Sequence, residues 1–192
     1  MKKSGKRLSK PLAALMRWFS HESFRGAVIG GVAASLRGKP RFTKDIDAVV
    51  LDVDAERLLK SAAAFGFLPR IADAVEFARS THVLLLRFQP GNIDIDISLG
   101  VLPFEIEVFE RSTWIDAGGV RLLVASAEDL VIMKAVARRA RDIMDIENII
   151  EVTVDLDVER IRYWVREFSS VLGMPEIHED LEKMLKRRKR QL

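Results

Sequence analysis

Residues 27–50 read AVIGGVAASLRGKPRFTKDIDAVV. A short apolar run, a Gly-Gly pair, a stretch of small residues, a basic loop and an alternating D-I-D-A-V-V segment follow one another almost without a spacer. Successive side chains of a strand point to opposite faces, so Asp45 and Asp47 share one face while Ile46 and Ala48 take the other. Two carboxylates side by side on a half-buried strand repel each other, an arrangement that a cation between them relieves. Hard oxygen ligands, with the remaining positions left to water and phosphate, suit Mg²⁺. Gly30-Gly31, read as the turn between a strand and a helix, lets a phosphate come close to the N–H groups of a helix N-terminus. A cation and an anion are therefore expected at the same spot.

Gly-Gly, then Arg41 and Thr43, then Asp-Ile-Asp, resembles the nucleotidyltransferase motif of the DNA polymerase beta-like superfamily. The whole segment is similar to small bacterial proteins grouped with abortive-infection toxin nucleotidyltransferases. The resemblance implies an α+β nucleotidyltransferase fold, a small mixed β-sheet backed by helices, with a helical C-terminal subdomain. It places Arg41 and Thr43 beside the nucleotide, although Thr43 reads equally well as a strand-entry residue. It also implies a third carboxylate from a neighbouring strand, which completes the metal site and accepts the proton of the attacking hydroxyl.

A second alternating segment meets that requirement. Residues 92–99, NIDIDISL, follow a Pro90-Gly91 turn and put Asp94 and Asp96 on one strand face. The spacing to Gly100 and to the Pro-Phe-Glu at 103–105 resembles the superfamily pattern with Asp96 as the third carboxylate and Asp94 as the alternative. Further on, Lys134, Arg141, Asp142 and Asp145 match a Lys…Arg-x-x-Asp-x-x-Asp block that lies near the nucleotide in the family. Lys134 is expected to neutralise charge developing on the transferred phosphoryl group. Asp142 and Asp145, one helical turn apart, share a face; the alternative reading is a lattice of Arg and Asp tying two helices together.

The rest of the chain reads as support. Leu12, Leu15, Met16 and Phe19 recur at helical spacing, with Ser9-Lys10-Pro11 as the expected cap and first turn. Asp54 caps a helix running to Phe65 and Gly66 ends it. Residues 69–78 read as an ambiguous connection. The near-continuous apolar run His82–Phe88 predicts a strand covered on both faces, His82 being structural or capping. Residues 103–111 read as helix or extended chain with Glu105, Glu107 and Glu110 solvated, and residues 113–124 as an edge hairpin. Ser126 caps a helix that buries Leu130, Met133 and Val136, and two terminal helices follow, one capped by Asp157. The expected division is a nucleotidyltransferase core at 1–125 and a helical subdomain at 126–192.

Among 192 residues, 48% are hydrophobic and 31% charged, enough for a sizeable core in ordinary globular material. The absence of cysteine excludes disulfides and thiolate catalysis and suits a reducing compartment. No apolar run reaches the roughly 18 residues of a membrane span, and Arg17 and His21 interrupt the N-terminal run that begins like a signal peptide, so a cytoplasmic protein without membrane association is expected. The formal net charge is +3, with Lys2, Lys3, Lys6, Arg7 and Lys10 at one end and Lys183, Lys186, Arg187, Arg188, Lys189 and Arg190 at the other. Basic ends follow phosphate backbones through counterion release, and equally serve to solubilise frayed termini.

These observations lead to an expected activity. An acceptor hydroxyl attacks the α-phosphate of a nucleoside triphosphate such as ATP, aided by two Mg²⁺ ions on Asp45, Asp47 and Asp96, with Gly30, Gly31, Arg41, Thr43, Lys134 and Asp142 on the nucleotide. RNA ends, proteins and small hydroxylated molecules are the acceptor classes, RNA being favoured by the basic ends. The toxin resemblance adds a cognate antitoxin as an expected partner. The rival expectation is a non-catalytic nucleotide- or nucleic-acid-binding protein on the same fold.

Overall fold

The computed structural model describes residues 4–188; the expected basic ends at Lys2, Lys3, Lys189 and Arg190 lie outside the described residues. The chain forms two compact units. One comprises the described residues up to Ala33 with Phe42–Ala125, the other Ala34–Arg41 with the described residues from Ser126 onward. The second unit thus takes in a short stretch, 34–41, that precedes the acidic strand in sequence.

The first unit contains a seven-stranded mixed sheet. Its strands are β1 (Arg25–Ile29), β2 (Ile46–Leu51), β3 (Phe67–Pro69), β4 (Val83–Phe88), β5 (Ile93–Gly100), β6 (Thr113–Asp116) and β7 (Arg121–Val124), in the order β3-β4-β5-β2-β1-β7-β6. β2 and β5 are parallel, as are β1 and β7, and the other neighbours are antiparallel. The expected hairpin is present, with β6 at the sheet edge.

Helices α1 (Ser4–His21), α3 (Ala55–Ala62), α4 (Ala74–Thr81) and α5 (Pro103–Glu110) belong to this unit, and α2 (Gly30–Arg37) starts in it. Leu8, Leu12, Leu15, Trp18 and Phe19 of α1 are buried. Trp18 stacks on Phe67 at 5.2 Å and donates its indole N–H to Ser61 Oγ at 2.8 Å, so the largest buried ring has both apolar cover and a partner for its one polar atom. Gly26 is required beneath α1, because a Cβ there would lie 2.5 Å from the Phe19 ring.

Several sequence expectations are corrected. Pro11 lies inside α1, not in its first turn; the helix extends N-terminally to Ser4, and its buried apolar stripe supplies the packing that outweighs the one backbone bond a proline removes. The 69–78 connection contains the start of α4, capped C-terminally by His82 in the left-handed region at φ 56°. β4 is second from the edge and alternates, with Leu84, Leu86 and Phe88 buried and Val83, Leu85 and Arg87 half-buried, because it pairs with the polar face of β5. Residues 103–110 are helical, and Glu105 is not solvated: its Oε2 accepts the N–H groups of Val101 and Leu102 at 2.7 and 2.9 Å, capping its own helix.

The second unit is helical: the latter part of α2, then α6 (Ala127–Ala137), α7 (Ala140–Val152), α8 (Val158–Leu172) and α9 (Glu176–Arg188). Ser126 caps α6 by accepting from Asp129 N at 3.1 Å, and Asp157 caps α8 by accepting from Arg160 N at 2.9 Å. α6 is packed against α7, α8 and α9, so Val131, Ile132 and Ala135 are buried along with Leu130, while Met133 and Val136 are only half-buried. A helix surrounded by three others has no single apolar stripe, which is why a one-face reading misassigned it. No helix among the described residues is long and apolar enough to cross a membrane.

Candidate active site

The acidic face is built by strand register. Because β2 and β5 are parallel with Asp47 opposite Asp96, the two carboxylates leave the sheet on one face from adjacent strands. Ile46 and Ala48 of β2 and Ile95 and Ile97 of β5 point the other way and are fully buried, which locks the register: a one-residue slip would bury the acids. Asp45 sits immediately before β2, with Thr43 Oγ1 donating to its Oδ1 at 3.0 Å. That bond, with Thr43 buried, gives the threonine a defined job in holding Asp45.

Gly30 and Gly31 are the first two residues of α2, where the sequence reading had made them a separate turn. Gly30 enters the helix at φ 62°, in the left-handed region, and a Cβ there would lie 2.0 Å from Asp47 Oδ2. Only glycine combines that conformation with so close an approach. The Gly31 N–H donates to Asp47 Oδ2 at 3.2 Å, so the N-terminus of α2, expected to meet a phosphate, meets the Asp47 carboxylate.

Asp94 and Asp96 are engaged by two arginines that the sequence reading did not single out. Arg70, just after β3, lies with Nη1 3.1 Å from Asp94 Oδ2 and Nη2 3.0 Å from Asp96 Oδ1. Arg87 lies opposite Asp94 on β4 and donates Nε–H to Asp94 Oδ1 at 2.7 Å. The Arg87 bond is the main reason the Asp94 carboxyl is held below the usual range. Asp96 moves the other way: burial pushes its carboxyl up, Arg70 opposes, and the charges of Asp45 and Asp94 add to the rise. Asp96 Oδ1 is shut off from solvent and has no hydrogen-bond partner, since Arg70 is near but not aligned.

The expected metal cluster is therefore not drawn together: no three such side chains are grouped to hold an ion among the described residues. Each acid is turned to an internal donor instead, Asp45 to Thr43, Asp47 to Gly31 and Asp96 to Arg70. The donor chemistry nonetheless fits a divalent cation: hard carboxylate oxygens from two adjacent strands, one an orphaned buried oxygen on an acid that burial and like charge disfavour.

The remaining predicted residues form a cluster within the second unit. Arg41 grips Asp145 with Nε at 2.6 Å and Nη2 at 2.7 Å, a bidentate pair. Lys134 Nζ lies 2.6 Å from Asp145 Oδ2 and 3.0 Å from Asp142 Oδ1. Asp142 Oδ2 also accepts the Arg139 N–H at 3.2 Å, capping α7. Burial alone would raise the Asp145 carboxyl, but the hydrogen bonds from Arg41 and Lys134 outweigh it and leave it below the usual range. Arg141 is exposed and outside the cluster.

A family model described as "Nucleotidyltransferase of unknown function (DUF6036)" matches residues 12–188. Among solved structures, an antigenic nucleotidyltransferase-like protein from Paracoccidioides brasiliensis is 18% identical with a TM-score of 0.57, the alignment covering 95% of this chain and 94% of that one. The antibiotic-resistance factor ANT(2'')-Ia, solved in solution, is 16% identical with a TM-score of 0.58, covering 92% of this chain and 98% of that one. At such identities the likeness shows the fold, which is the expected α+β nucleotidyltransferase fold. No curated protein matches the chain.

Proposed function

Because the chain belongs to the family of nucleotidyltransferases of unknown function (DUF6036), we propose that it transfers a nucleoside monophosphate from a nucleoside triphosphate to a hydroxyl acceptor, with Asp45, Asp47 and Asp96 as its acidic centre. The observation that carries this reading is the in-register pairing of Asp47 with Asp96 on adjacent parallel strands. In the reaction, the acceptor oxygen bonds to the α-phosphorus as the bond to the bridging oxygen of the β-phosphate breaks, and pyrophosphate leaves with that electron pair. Asp96, whose protonated form is favoured by burial, takes the proton of the acceptor hydroxyl. Two Mg²⁺ ions, held by Asp45, Asp47 and Asp96, would neutralise the charge on the phosphates. Thr43 fixes Asp45, and the Gly30-Gly31 entry to α2 fixes Asp47. Asp94, tied to Arg70 and Arg87, is assigned to support. Arg41, Lys134 and Asp142, assigned to the nucleotide by the motif resemblance, are held ready by their shared ion network.

The donor is ATP or another nucleoside triphosphate, a cytoplasmic reactant. RNA ends are the first acceptor class to test, then proteins and small hydroxylated molecules. A toxin role with a cognate antitoxin predicts growth arrest on expression, relieved by Asp47→Ala. The internal partners of all three acids favour, as a second reading, a non-catalytic nucleotide binder. One experiment separates these: each nucleoside triphosphate, labelled at the α-phosphate, is offered with Mg²⁺ and total RNA or protein to the native chain and to Asp47→Ala. Label in either pool with the native chain alone establishes transfer and the acceptor class. Nucleotide binding without label favours a small-molecule acceptor or the non-catalytic reading, and no nucleotide binding refutes the proposal.

A further inference from the structure

Arg70 is the one group that touches both Asp94 and Asp96. Its fork spans the two acids of β5, each nitrogen to a different carboxylate. A planar guanidinium so placed acts as a bridging cation. The partners are unequal. Asp94 keeps a second guanidinium, Arg87 Nε at 2.7 Å, while Asp96 has only Arg70 against it and gains no aligned hydrogen bond. Arg70 can thus withdraw from Asp96 and remain anchored on Asp94, its backbone N–H tied to Leu85 O at 3.0 Å.

We propose that Arg70 is a resident counter-cation of the acidic face, neutralising Asp96 until a divalent cation replaces it there and retreating onto Asp94 when that happens. The inference rests on the acidic centre assigned above. It gives Asp94 a function distinct from Asp96, as the parking place of the displaced guanidinium. It also explains how four acids, Asp45, Asp47, Asp94 and Asp96, tolerate one another around a single sheet face. Removing the Arg70 charge leaves the acids more negative, so an incoming cation no longer competes with a fixed positive charge at close range. The expected gain in cation affinity is on the order of tenfold.

The test is Mn²⁺ binding by the full chain, read from the electron paramagnetic resonance signal of free Mn²⁺, with no nucleotide or acceptor present. Arg70→Gln is expected to bind about tenfold more tightly than the native chain, Arg70→Lys to bind like it, and Arg87→Gln to change little because it touches Asp94 alone. Binding by Arg70→Gln that is equal to or weaker than native overturns the proposal, since a residue that merely braces the β3–α4 segment would lower stability without tightening the ion. If Arg70→Gln does not fold, a Mg²⁺ titration of the native chain followed at the Arg70 Nε–H resonance answers the same question. That resonance must shift with saturation, and one that stays put overturns the proposal. Native binding that is lost in Asp47→Asn but not tightened in Arg70→Gln refutes this inference alone. Absence of binding in every variant refutes it together with the assigned acidic centre.

Discussion

Substituting Lys134 by Met tests whether the second unit is held together by its ion network. Lys134 Nζ is 2.6 Å from Asp145 and 3.0 Å from Asp142, and the three side chains are 8%, 3% and 9% exposed. Removing one partner of a buried pair costs about 3–5 kcal/mol, because the other charge stays behind without compensation. Here both acids keep a donor: Asp145 the bidentate Arg41, and Asp142 the Arg139 N–H. That places the expected loss at the low end, about 2–3 kcal/mol. Urea unfolding followed by circular dichroism should then show the midpoint falling by roughly 1 M, given a slope of a few kcal/mol per molar. Lys183→Met, which breaks an exposed pair with Asp180, should shift stability by less than about 0.5 kcal/mol. The pH dependence has a definite sign. Asp145 is held below its unfolded value, so its contribution is fully present above about pH 4 and is lost as pH falls through its depressed value. The gap between native chain and variant should narrow on acidification. A Lys134→Met protein as stable as the native chain at pH 7 would refute the structural reading, and if it also lost transfer, Lys134 would be a phosphate ligand with the two acids incidental.

Two further outcomes follow from the first unit. Gly30→Ala forces a Cβ to within 2.0 Å of Asp47 Oδ2 at a left-handed φ, so it should cost about 1–3 kcal/mol in thermal or urea unfolding and abolish label transfer by displacing that acid; a fully active Gly30→Ala would show that the β1–α2 entry does not set Asp47. Asp96→Asn should raise the melting temperature by roughly 1–3 °C at neutral pH while eliminating transfer, since burial and like charge disfavour the ionised native carboxyl. The same cause predicts that the native chain gains stability from Asp96 as pH falls through its raised value, opposite in sign to Asp145; a melting temperature lowered by Asp96→Asn refutes it.

How far the sequence disclosed these features depends on the range of the interaction. Asp45, Asp47, Asp94 and Asp96 stand out because a strand's period of two is written locally, and the parallel register that joins β2 to β5 follows from keeping Ile46, Ala48, Ile95 and Ile97 buried together. The caps at Asp54, Ser126 and Asp157 were likewise legible, since each bonds a backbone N–H three residues on. Pro11 and Met133 misled for the opposite reason. Their settings are decided by α1 packing on distant elements and by α6 being enclosed by three helices, neither of which leaves a local period.

Arg70 and Arg87 mark the boundary between those cases. Arg87 was recoverable: a hairpin closing at Gln89–Gly91 puts Phe88 opposite Ile93 and therefore Arg87 opposite Asp94, a cross-strand charge pair that alternation alone predicts. Arg70 was not, because it reaches the acids from the segment after β3, and β3 is only three residues long with no alternation to read. Yet Arg70 is the cation that touches the third carboxylate. The acids of such a centre are fixed by strand period and so are visible in sequence. The charge that keeps them compatible before substrate arrives is supplied through tertiary contact, and a chain can change that charge without disturbing the motif. Members of one motif class can therefore differ in cation affinity while keeping the same acids, and in this chain the residue through which that would happen is Arg70.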